Sequence, residues 1–182
     1  MSLKKLTIQQ HTNAERQKFA GILMSGKIPP SIYLRYLVNQ HACYSALENH
    51  TLFNLPDKGL ERSNNIQLDI NELNDDLDLK IEGMLTKSTL DYLSHVKQIK
   101  IYDNYIAHIY VRYLGDLRGG QMIAKKIPGE GRYYNFDNPH DLSQIIYKII
   151  HDDMADEAKK VFNFATCLFI EMYDFMLKNK IN

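Results

Sequence analysis

The chain has 182 residues, 45% hydrophobic and 24% charged, with 22 Lys plus Arg balanced by 22 Asp plus Glu. That length supports one core and is read as a single domain over 1–182, while the even charge leaves out the basic excess expected of a nucleic-acid binder. No stretch reaches the roughly 18 apolar residues of a membrane span and MSLKKLTIQQH has no apolar leader core, so a soluble, cytoplasmic protein is expected, monomeric by default. Cys43 and Cys167 lie far apart, each in an apolar helical run and without a CxxC pair. They are expected to be buried free thiols.

Helical spacing starts at once. Residues 2–13 read as a first helix, on which Lys4, Ile8 and His11 follow the i, i+4, i+7 pattern of one face. The run through Phe19, Ile22, Leu23 and Met24 continues as helix to Ser25-Gly26, ahead of Pro29-Pro30. Ile32, Tyr33, Tyr36, Leu37, His41, Tyr44 and Leu47 mark a long helix from Ser31 to about Phe53. Residues 54–64 are a connector, and Asn65 to Gly83 holds shorter acidic helical pieces. Ser88 to Lys100 is the next helix, with Leu90, Tyr92, Leu93 and Val96 inward.

Tyr105 to Lys126, YIAHIYVRYLGDLRGGQMIAKK, is helical in spacing yet contains Gly115, Gly119 and Gly120. Each glycine costs a helix interior about 1 kcal/mol relative to alanine. Either a body approaches the backbone closely, as in a helix crossing, or the helix ends at Gly119-Gly120 with a glycine cap. GDLRGGQ lacks the spacing of a phosphate-binding loop and follows no strand. Residues 127–138 form a turn-rich loop, Asn138-Pro139 starts a helix faced by Ile145, Ile146, Ile149 and Ile150, and Ala155 to Lys178 is the last helix. No strand or repeat is evident. The class is all-α, a bundle of seven or eight helices.

Among seven histidines none belongs to an HExxH or Glu-x-x-His pair, so neither a protein-only catalytic zinc nor a di-iron carboxylate bundle is expected. His11 stands out because Glu15 follows it by four residues. A carboxylate there can accept the ring N–H and free the other nitrogen for a metal, or the two can form an ordinary surface pair.

Four stretches, HTNAERQKF at 11–19, CYSALE at 43–48, YVRYLGDLRGGQ at 110–121 and DEAKKVFNF at 156–164, together resemble the heme oxygenase family in order and spacing. The resemblance spans Lys4 to Met172. It implies His11 as the axial metal ligand of heme with Glu15 as its partner, and a distal helix whose Gly115, Gly119 and Gly120 lie directly over the porphyrin. It also implies Asp116 acting through ordered water on the distal side, supported by Tyr44 and Arg112, and Lys4, Tyr110 and Lys159 at the heme propionates. Ile8 and Asn163 stand where relatives place basic residues, and Arg118 replaces a small one, either facing solvent or contacting a redox partner.

By the same resemblance b-type heme is both cofactor and substrate. With O2 and external electrons it yields biliverdin, by default IXα, carbon monoxide and ferrous iron. No flavin or nicotinamide motif is present, so the donor is expected to be ferredoxin or a flavin-dependent reductase. The competing expectations are a heme-binding or heme-transfer protein without turnover, and a relative that kept the fold and lost heme.

Overall fold

The computed structural model describes residues 2–181, and every described element is helical. Eight α-helices follow one another: α1 (Leu3–Glu15), α2 (Lys18–Ser25), α3 (Pro30–Glu48), α4 (Ser63–Leu77), α5 (Lys87–Lys97), α6 (Tyr102–Ala124), α7 (Pro139–Ile149) and α8 (Ala155–Lys178). Short 3-10 turns at Lys58–Leu60, Arg132–Tyr134 and Asp152–Met154 join them. Among the described residues no helix is long and apolar enough to cross a membrane.

Several boundaries move from their expected places for local reasons. The first helix breaks at Arg16-Gln17, where Gln17 is extended and its side-chain amide caps the carbonyl of Asn13 at 3.0 Å. α2 stops at Gly26 in the left-handed region (φ 74°), where glycine carries no Cβ penalty. α3 begins on Pro30, whose fixed φ suits a first turn, and ends at Glu48 rather than near Phe53. Asn49 takes the carbonyl of Ser45 with its side chain at 2.9 Å, and Phe53 instead stacks on His50. The acidic region forms one helix, α4, which buries Ile66, Asp69, Ile70 and Leu73. Leu90, expected inward, is exposed on α5. Cys43 is buried as expected, whereas Cys167 is exposed on α8.

α8 is the hub of the part that matters for function. α1 and α6 both pack on it, α7 packs on α6, and α3 packs on α4 and α5. The core is aromatic: Tyr33, Tyr44, Tyr92, Tyr105, Tyr113, Tyr133 and Tyr134 are all fully buried. α6 runs unbroken through Gly115, Gly119 and Gly120, so these residues do not cap it.

Candidate functional site

A cleft of about 530 Å3 opens between α1, α6 and α7, with Phe162 of α8 in its wall. Lys4, Ile8, His11 and Glu15 of α1 line it, four residues on one helical stripe. Opposite them α6 contributes Tyr110, Gly115, Arg118 and Gly119. The His11 ring meets Phe162 edge-on, centroids 5.4 Å apart, and its Nε2 lies 3.4 Å from Glu15 Oε1. Both side chains of that pair are exposed, so it adds little to the stability of the helix. The Tyr110 hydroxyl reaches across to Thr7 Oγ1 at 3.5 Å, tying α6 to α1.

A second group sits on the adjoining, inward face of α6. The Tyr44 hydroxyl donates to Asp116 Oδ2, and the Tyr133 hydroxyl donates to Tyr44 Oη at 3.2 Å. Arg112 donates to Gln40 Oε1 at 3.0 Å and stacks its guanidinium on Tyr92, 4.2 Å from the ring centroid. Burial pushes the Asp116 carboxyl up to about 6, against the opposing pull of the Tyr44 and Tyr133 hydroxyls and of Arg112. A carboxyl so placed changes protonation near neutral pH.

Of the residues singled out in the sequence, Lys4, His11, Glu15, Tyr110, Gly115 and Gly119 line the cleft, while Tyr44, Arg112 and Asp116 form the inward group. Gly120 belongs to neither. A Cβ there would run into the ring of Tyr134, so its bareness serves packing of the Arg132–Tyr134 turn and not the cleft. Lys159 does not line the cleft either; its ammonium lies 3.7 Å from Asp156.

Sequence reasoning missed Tyr133, because it sits in a loop whose shape depends on distant residues. It also passed over Gln40, although Tyr36, Gln40, Tyr44 and Glu48 recur at intervals of four, a polar stripe that faces inward. A further cluster, His95, His108 and Glu157, brings three possible metal-ligand atoms within 4.8 Å of one another. Hydrogen bonds alone account for it: both histidines meet Glu157 Oε1, Tyr92 Oη meets His108 Nδ1 at 2.7 Å, and Lys160 holds the second carboxylate oxygen at 2.9 Å. Burial lowers His108 to about 4, so its ring stays neutral and braces Tyr92 beneath Arg112.

A model of the heme oxygenase family matches residues 1–171. The chain belongs to the heme oxygenase family. Its class is accordingly that of a heme-degrading oxidoreductase. It is 30% identical to a heme oxygenase of Guillardia theta over 87% of this chain and 70% of that protein. A heme oxygenase of Porphyra purpurea is 27% identical over 76% of this chain, which spans 66% of that relative's length. The structure of a heme oxygenase from Leptospira interrogans superposes with a TM-score of 0.77 at 25% identity, covering 94% of this chain and 100% of the other.

Whether this heme oxygenase cleft fits a flat macrocycle is decided by its bare wall. A Cβ built at Gly115 or Gly119 meets nothing within 4 Å, so both positions border open space that methyl groups would fill. Neither glycine is needed for the helix turn itself, and each weakens α6. The residues present therefore fit a planar group laid against α6, and the His11 imidazole lines the same cleft.

Proposed function

We propose that this chain cleaves heme oxidatively to biliverdin, by default IXα, with release of carbon monoxide and ferrous iron. Electrons come from an external donor, ferredoxin or a flavin-dependent reductase, since no binding motif for a nicotinamide or flavin is found in the sequence. Heme, when bound, supplies an iron able to activate O2 and is itself the molecule cut. His11 would hold the iron through one ring nitrogen while Glu15 steadies the ring. Gly115 and Gly119 would leave room for O2 beside the α6 backbone, and Lys4 and Tyr110 would hold the polar edge of the macrocycle.

Asp116 carries the proton chemistry in this reading. Its carboxyl, near 6, can give and regain a proton through water reaching the cleft, and the Tyr44 and Tyr133 hydroxyls hold it in place. Arg112, fixed by Gln40 and Tyr92, keeps positive charge beside it, and its buried Nε has no hydrogen-bond partner among the described residues. The single observation that carries the proposal is one cleft bounded by an imidazole on α1 and bare backbone on α6, with a titratable carboxyl on the adjoining face.

Asp116→Ala decides between turnover and mere binding. Hemin should still bind, with an intact Soret band, while formation of a bilin spectrum under reductant and O2 should fall by at least about a hundredfold. Undiminished bilin formation would refute the role of Asp116. Wild-type protein that binds hemin and yields no bilin would instead establish the heme-transfer reading.

A further inference from the structure

Two Lys or Arg side chains line the cleft, Lys4 from α1 and Arg118 from α6. Lys159, the other cation that the resemblance implies for the propionates, does not line it and lies near Asp156. Arg118 is placed differently. It stands immediately before Gly119, is exposed, and lays its guanidinium over the ring of Tyr147 on α7, 5.1 Å from the centroid. That distance is within cation–π range, so the ring restricts a side chain that would otherwise sample many rotamers. No ion pair among the described residues includes Arg118. Its charge is thus free to meet a ligand.

Other titratable groups lining the cleft are Glu15, which faces His11, His151, which lies between Asp103 and Asp153 at 3.3 and 3.8 Å, and Asp152, which forms no ion pair with Arg118. An arginine held on an aromatic face, beside bare helix backbone and at the solvent edge of an apolar-walled cleft, is suited to a planar anion. Its fork can take a carboxylate through two parallel N–H donors.

We propose that Arg118, braced on Tyr147, is a carboxylate subsite of this cleft and receives one propionate of heme, leaving the other to Lys4. The assignment rests on the cleft being the heme site. It replaces both earlier expectations for Arg118, a purely solvent-facing side chain or a contact for the electron donor. Arg118→Lys keeps the charge and loses the fork, and Arg118→Ala loses both.

The test is a spectroscopic titration of wild type, Arg118→Lys and Arg118→Ala with hemin and with hemin dimethyl ester, in which both carboxylates are neutral. Wild type should bind hemin, Arg118→Ala should bind it about tenfold or more weakly, and Arg118→Lys should fall between. With the dimethyl ester the three affinities should coincide. Equal hemin affinity of wild type and Arg118→Ala overturns the proposal, and so does an equal loss toward the ester, which would mark lost packing instead of a lost carboxylate contact. Wild type that takes up neither ligand overturns the heme reading itself, and this inference with it.

Discussion

A methyl group added at Gly115 or Gly119 would meet open space, while the same methyl at Gly120 would strike the ring of Tyr134. The three glycines of one helix therefore answer to two different demands. Gly119→Ala should raise the thermal stability of the ligand-free protein by about 0.5–1 kcal/mol, through better helix propensity, and weaken hemin binding. Gly120→Ala should lower stability by about 1–3 kcal/mol by overpacking a ring already stacked on Tyr133. Calorimetry on both variants checks the pair of signs; two changes of the same sign would refute the division. The sequence showed all three glycines but not which had a neighbour, since that neighbour lies 14 residues further on, across a loop.

Asp116 makes a prediction of opposite sense to a salt-bridged aspartate. Its folded value, about 6, lies above the ordinary 3.8, so between these pH values the folded state binds more protons than the unfolded one. Its contribution to stability is then greatest below about pH 4 and is lost as pH rises through 6, by up to about 2–3 kcal/mol. Denaturant midpoints of wild type and the non-titrating Asp116→Asn, compared from pH 4 to 7, should show wild type losing stability relative to the variant as pH rises. Wild type gaining stability relative to the variant over that range would contradict the assigned environment.

At the scale of elements, α3 and α6 are joined by a ladder of polar contacts set at intervals of four. Gln40 accepts from Arg112, Tyr44 donates to Asp116, and Glu48 accepts from Tyr113. The spacing was legible, but polar residues at helical intervals look the same whether they face water or a neighbouring helix. The loop at 127–138 shows a different limit. Its breakers were plain, yet its conformation is fixed by Asp69 on α4, which accepts from the backbone N–H of Tyr133 at 2.8 Å and of Arg132 at 3.0 Å. No local pattern could announce a contact more than sixty residues away. Asp69→Ala leaves buried N–H groups without a partner and should cost about 2–4 kcal/mol of stability. It should also loosen Tyr133 from Tyr44, so bilin formation should fall while hemin affinity changes less. Turnover and stability both equal to wild type would show that Asp69 does not hold this turn.

At the scale of the whole molecule, the cleft exists because α1 and α6 both rest on α8 and leave a gap between them. The helical class was legible because apolar residues recur at helical spacing through most of the chain. The cleft became legible only through the heme oxygenase resemblance, because periodicity says which face of a helix is buried and not what it is buried against. Lys159, which the resemblance places at the propionates, is not among the residues that line the cleft and lies 3.7 Å from Asp156. The central claim is that His11 and the bare face of α6 enclose one heme. Titration of ferric hemin into wild type and His11→Ala tests it most directly: wild type should give a sharp histidine-ligated Soret band, and His11→Ala should give it only after imidazole is added. The same band in His11→Ala without imidazole would contradict the account.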